Sequence, residues 1–304
     1  MKIIVTGGAG FIASHIADRY IKDGNRVIII DNLSAGFRKN INPRAKFYKA
    51  DIRNLSQIKR IFKKERPEIV NHHAAIAEVI KSVRNPIPTF ETNVLGTANV
   101  SLAFGNFGVG KRKKFIFSSS GGAIYGDPKK IPADESTEIA PVSPYGLSKF
   151  LGEEIIKFYS REFGFKYLIL RYANVYGPRQ NPKGEAGVVA IFGRLIKIGI
   201  RPKIFGDGTK ARDYVYIDDI VRANTLGLKR GGNEILNIGL ERKISDRKIF
   251  DTIAKLLHYS DTPIHAPYRK GEIYQISLNA RRAGKILDWR PRISLEDGIK
   301  KTLG

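Results

Sequence analysis

The sequence predicts an α/β protein, a doubly wound parallel sheet with helices on both faces and a smaller mixed α/β lobe. Three observations predict it. Short apolar runs alternate with helix-spaced segments through the first 172 residues. The first run ends in a glycine-rich turn that opens a helix. From residue 177 the alternation gives way to glycine, proline and shorter elements.

Residues 2–6 (KIIVT) form an apolar run typical of a strand buried on both faces. Residues 11–22 place Phe11, Ile12, Ile16 and Tyr20 at helical spacing, and 26–31 (RVIIID) read as a second buried strand closing on an acid. A short strand at 46–50, a helix at 55–65 and a strand at 68–72 follow. A helix around 88–106 precedes a strand at 114–118, and a helix at 145–163 leads into a strand at 166–172. Gly177, Pro178, Pro182, Gly184 and Gly187 mark a long loop. Beyond it come a helix at 187–198, a strand at 202–205, a helix at 217–229, a strand at 234–238 and a helix at 245–257. The expected division is a dinucleotide-binding domain of 1–176 plus 213–239 and a second lobe of 177–212 plus 240–304.

The 304 residues contain no cysteine, which excludes disulfides, thiolate metal sites and a cysteine nucleophile. The five histidines form no ligand cluster, so no metal is expected. No export signal or membrane-length apolar run is legible, which points to the cytoplasm and away from a membrane. The net charge is +24. Such a field attracts anions without naming one, and its ordinary explanation is a solvated basic surface. The rival is a nucleic-acid-associated protein on the same fold. The absence of an RNA-binding motif and the intact chemistry described next argue against nucleic acid as the partner.

Residues 6–14 (TGGAGFIAS) lie between the first strand and first helix, with small residues at 7, 10 and 13. Glycines let a pyrophosphate approach the backbone at a helix N-terminus. Asp31 ends the second strand about 20 residues on, where an acid accepts hydrogen bonds from a ribose diol and repels a 2′-phosphate. The order of elements reads as a Rossmann-type NAD site. Farther on, Tyr145 and Lys149 stand at i and i+4 on one helical face, and the strand at 114–118 runs into Ser118-Ser119-Ser120. An ammonium beside a phenol, with a positive nicotinamide ring, is expected to lower the phenol's pKa, and a serine hydroxyl can hold the substrate oxygen.

With these residues in view, the chain resembles the nucleotide-sugar epimerases of the extended short-chain dehydrogenase/reductase family over nearly its whole length. The likeness runs through TGGAGFI at 6–12, DNLS at 31–34, ADI at 50–52, HHAA at 72–75, NVLGT at 93–97 and FIFSSS at 115–120. It continues in IYGD at 124–127, SPYGLSK at 143–149, LRYANVYGPR at 170–179, IFGDG at 204–208, RDYVYIDD at 212–219, NIG at 237–239, RKGE at 269–272 and LDWRP at 287–291. The resemblance implies that Gly7, Gly10, Phe11 and Ile12 cradle the NAD pyrophosphate, and that Asp31, Asn32 and Ser34 hold the adenosine ribose. Asp51 and Ile52 would flank the adenine, and Ala74 and Ala75 would line the path to the nicotinamide. Ser120, Tyr145 and Lys149 would be catalytic, Lys149 also binding the nicotinamide ribose. Asn174, Arg212 and Arg269 would grip the substrate diphosphate, Phe205 would face the uracil, Val189 would join this wall, and Ile276 would gate room for an N-acetyl group. It also implies a homodimer built on the helices near 88–106 and 145–163.

The activity implied is interconversion of UDP-glucose and UDP-galactose through a 4-keto sugar. Epimerisation of a UDP-N-acetylhexosamine, a UDP-uronate or a GDP- or dTDP-hexose stays open. Dehydratases of the family carry an Asp-Glu pair directly after the serine, where this chain has Gly121-Gly122. Other departures are Ala13 in place of glycine, His73 in place of an apolar residue (expected to pack), Glu272 in place of aspartate, and one extra residue after Ser120, which makes Ser119 an alternative to it.

Overall fold

The computed structural model describes residues 1–183, 187–269 and 272–304. Gly184, in the expected loop, and Lys270 and Gly271, in the RKGE motif, lie outside the described residues. Seven parallel strands form the central sheet: β1 (Lys2–Thr6), β2 (Arg26–Asp31), β3 (Lys46–Lys49), β4 (Ile69–His72), β5 (Lys114–Ser120), β6 (Lys166–Tyr172) and β7 (Glu234–Ile238), in the order 7-6-5-4-1-2-3. Every neighbouring pair is parallel. The expected doubly wound Rossmann-type fold is therefore the one observed. Strands β1, β2, β4 and β5 are buried almost throughout, which explains apolar runs rather than alternation.

Helices α1 (Phe11–Lys22) and α2 (Leu55–Glu65) connect the first strands. Two longer helices cover the sheet beside them: the segment 87–107 and the Pro144–Phe163 helix. The first is not regular. A π-helical turn, Glu91–Leu95, interrupts it, and a separate helix, Val79–Arg84, precedes it. Neither was legible, because Pro86 and Pro88 break the pattern that periodicity reads. Gly164, at φ +66°, ends the Pro144–Phe163 helix in the left-handed region.

Three two-stranded pairings lie outside the central sheet: Asn174–Tyr176 with Tyr214–Tyr216, Ala211–Arg212 with Ile244–Ser245, and Lys203–Phe205 with Ile264–Ala266. One apolar cluster runs from Ile3 and Val5 in β1 through Tyr214 and Ile217 to Ile276 and Trp289. The terminal helices Arg281–Leu287 and Leu295–Leu303, not anticipated, pack Leu287 and Ile299 into it. Among the described residues, no helix is long and apolar enough to cross a membrane.

Candidate active site

The strand order reverses between β1 and β4, and the site lies at the carboxyl ends there. Gly7 takes φ +70°, and a Cβ on it would stand 2.7 Å from the Ala74 nitrogen. Only glycine fits. No side chain caps α1 and no acid occupies its first turn, so its leading amides suit an anion. Phe11 and Ile12 line the adjoining cavity. Asp31 is buried; its Oδ2 accepts from the Ala9 amide at 3.0 Å and its Oδ1 from Leu33 at 2.7 Å. The acid expected to hold the adenosine ribose thus also braces the glycine turn. Asn32 accepts from the Ser34 amide at 3.0 Å and donates to Asp51 at 3.1 Å. Hydrogen bonds from Arg53 hold the Asp51 carboxyl down at about 2. Ile52 is buried against Gly96, and the Ala74 amide donates to Thr6 Oγ1 at 3.2 Å, with Ala75 next in line. The glycine turn and the uncapped start of α1 fit the pyrophosphate of a dinucleotide.

The Ser120 hydroxyl lies close enough to the Tyr145 phenol to act on its titration, and both residues face the cavity. Ser119, the alternative, instead donates to Glu153 Oε1 at 2.5 Å and is buried. The Tyr145 backbone is fixed by its amide donating to Ser82 Oγ at 3.1 Å. Its carbonyl accepts from Ser148 Oγ at 2.7 Å, and Ser148 in turn accepts from Asn93 Nδ2 at 2.9 Å. Asn93 also bonds both backbone groups of Ile76, so the π-helical turn clasps the loop after β4 to the Pro144–Phe163 helix.

Lys149 is buried, donates to the Ser118 carbonyl at 2.8 Å, and is pushed down to about 8 by burial, with Glu153 opposing. The lowered Tyr145 pKa is corrected here. Burial pushes the phenol up, and the Ser120 hydroxyl only partly reverses this. Within the chain, the Lys149 ammonium donates to the Ser118 carbonyl. His73 stacks on Tyr172 with ring centroids 6.0 Å apart, and burial, followed by Lys149, pushes it down to about 3.

A cavity of about 420 Å³ opens above this pair, bounded by Asn174, Val189, Phe205, Arg212 and Arg269. The Arg269 guanidinium lies 4.0 Å from the Phe205 ring centroid and pairs with Glu272. Arg212 donates to the carbonyls of Ala211 at 3.0 Å and Tyr274 at 3.1 Å, and also to Ile273. Both arginines are at the cavity wall, but each is already bonded. Ile276 requires correction: it is buried in the core and does not line the cavity, whereas Ile273 does. Its amide pairs with the Ala211 carbonyl, which turns the side chain inward. Sequence reading also missed Lys210, a buried cavity-wall cation bonded to Glu272 Oε2 at 2.5 Å and 4.0 Å from Asp246. Its only local signal was its place two residues before Arg212. No group of three or more metal-ligating side chains occurs among the described residues.

Residues 3–239 match the model of the NAD dependent epimerase/dehydratase family. The chain belongs to this family. Among epimerase/dehydratase structures it is similar to the UDP-glucose 4-epimerase of Thermotoga maritima solved with UDP-glucose, at 47% identity and TM-score 0.97, covering 100% of this chain and 97% of that one. It is also similar to the Thermus thermophilus UDP-glucose 4-epimerase solved with NAD, at 37% identity and TM-score 0.94, covering 100% and 98%. The UDP-glucose 4-epimerase of Mycolicibacterium smegmatis is 38% identical over 309 residues, 100% of this chain and 97% of that one. As a member of the epimerase/dehydratase family the chain is an NAD-dependent enzyme, in keeping with the glycine cradle and uncapped α1.

Proposed function

We propose that the protein interconverts UDP-glucose and UDP-galactose by inverting carbon 4 of the sugar. The observation that carries this reading is that Ser120 and Tyr145 face the same cavity, with Lys149 one helical turn behind. NAD, when bound, would supply reversible hydride acceptance from carbon 4. Ser120 holds the sugar's O4, Tyr145 takes its proton and later gives it back, and Lys149 provides the cation that favours the phenolate. Arg212, Arg269 and Asn174 grip the diphosphate, exchanging their present bonds for phosphate oxygens. Such a clamp leaves a planar 4-keto hexose free to turn over. Elimination of water has no acid–base pair beside Ser120. Gly121 is buried against Leu278, a Cβ on Gly122 would stand 3.3 Å from Asn174 Oδ1, and the acids on the cavity wall, Asp246 and Glu272, face Lys210.

The test is turnover of UDP-galactose by wild type and Tyr145→Phe. The variant is expected to fold, keep its NAD and lose about 10²–10⁴-fold in kcat. No turnover of either UDP-hexose by wild type would refute the proposal. Parallel assays with UDP-N-acetylgalactosamine, UDP-glucuronate and dTDP-glucose decide among the remaining nucleotide sugars.

The same reading includes a homodimer. Exposed Ile87, Leu95, Leu147 and Phe158 lie on the two long helices that pack together beside the sheet, and such a face suits a four-helix contact. Light scattering is expected to give a dimer for wild type and a monomer for a Leu147→Glu/Phe158→Glu variant.

A further inference from the structure

The catalytic helix carries a third charged side chain that the proton chemistry leaves unused. Glu153 follows Lys149 by four residues and Tyr145 by eight, so the three share one helical face. Its side chain is fully buried. Oε1 accepts from Ser119 Oγ at 2.5 Å and from Arg171 Nε at 3.0 Å, and Oε2 accepts from Arg171 Nη2 at 2.7 Å. Arg171 also donates to the Tyr125 hydroxyl at 2.8 Å, which donates to Asn237 Oδ1 at 2.8 Å. Ser119 immediately precedes Ser120 on β5, and Arg171 lies on β6, three residues before Asn174.

A buried ion pair is an inefficient source of stability, because desolvation of both charges offsets their attraction. Its position says more. One carboxylate joins the helix that bears Tyr145 and Lys149 to the strand that bears Ser120 and to the strand that leads to Asn174. We propose that Glu153, with Arg171, is a positioning residue that sets the approach of Ser120 to Tyr145 and balances the charge beneath Lys149. This rests on the reading of Tyr145 and Lys149 as the proton-handling pair.

The groups around Lys149 are few. Tyr145 and Glu153 come from its own helix. β4 supplies His72 and the residue after it is His73, both held neutral by burial, and β5 supplies the Ser118 carbonyl and the Phe117 ring at 5.1 Å. β6 supplies Arg171, through Glu153. The local balance therefore lies between Glu153 and Arg171. Glu153→Gln leaves Arg171 uncompensated, so Tyr145 and Lys149 release their protons at lower pH. Arg171→Gln leaves an unpaired carboxylate, so both release at higher pH.

The experiment titrates carbon-labelled Tyr145 by NMR in the NAD-loaded protein, alongside pH profiles of kcat. The expected result is a shift of roughly half a pH unit or more, downward in E153Q and upward in R171Q. Shifts of one sign, or none, in folded variants would overturn the proposal. The NMR titration reads the phenol directly, so it stands or falls apart from whether any UDP-sugar is turned over. Should a single variant not fold, E153M/R171M removes both charges, a replacement that buried ion pairs tolerate. It is expected to titrate near wild type and to lose about tenfold in kcat with KM little changed. Wild-type kcat in that variant would overturn the proposal equally.

Discussion

At Gly7 the backbone sits at φ +70° with another segment's amide nitrogen 2.7 Å from where a Cβ would go. Gly7→Ala is expected to cost about 1–3 kcal/mol and to empty the protein of NAD, as measured by nucleotide released on denaturation and by Tm. Full NAD content in the variant would show that the turn is not the cradle. Lys149 sets a pH dependence. Its pKa of about 8 means that the cation is present below that point and lost above it. Turnover limited by the phenolate is therefore expected to fall as pH rises through that region, and a kcat profile flat to pH about 10 would remove Lys149 from the mechanism. The Gly7 turn and the Tyr145–Lys149 face were legible because each depends only on fixed spacing along one turn or one helix. Lys210 and Ile276 were not. The first acquires its meaning from Glu272, 62 residues away, and the second was turned inward by pairing with Ala211.

Among the elements, the two long helices beside the sheet approach closely because one of them offers no side chain at the contact. A Cβ on Gly105 would lie 2.2 Å from the Phe163 ring. Gly105→Ala is expected to destabilise by about 1–3 kcal/mol through overpacking, read as a lower Tm with NAD content unchanged. Asn93 shows what periodicity cannot report. Its side chain bonds Ile76 and Ser148 only because a π-helical turn rotates it there. Apolar period and terminal glycines located the seven strands of the central sheet and most helices within a residue or two, but not the short strands Asn174–Tyr176, Ala211–Arg212, Tyr214–Tyr216, Ile244–Ser245 and Ile264–Ala266. They passed over Val79–Arg84 and the C-terminal helices, which are short and take their register from neighbours rather than from their own pattern.

Over the whole molecule, the +24 charge has a definite focus. Lys111, Arg112, Lys114, Lys166, Lys229 and Arg230 line a cavity of about 340 Å³ at the amino ends of β5, β6 and β7, the pole opposite Ser120 and Tyr145. None of Lys111, Arg112, Lys166 and Lys229 forms a salt bridge among the described residues, and Lys114 donates to the carbonyls of Gly227 and Arg230. Field effects across that distance are screened at physiological salt. Replacing Lys111, Arg112, Lys166 and Lys229 by glutamine is therefore expected to leave kcat/KM for UDP-galactose within about twofold. A larger loss would mean that the basic pole guides the anionic substrate.

The amino-acid order alone determined the alternation of strands and helices, the glycine turn with Asp31 after it, and the Tyr145–Lys149 face, because each depends on neighbours along the chain or on a single helical period. Tertiary structure alone decided which serine meets Tyr145, that Lys149 donates to the Ser118 carbonyl, that Ile276 faces the core, and that Glu153 joins the Pro144–Phe163 helix to two strands. Those outcomes depend on burial and on partners brought together across the sheet, and hydrogen-bond satisfaction in a dry interior is settled only when the whole chain has packed.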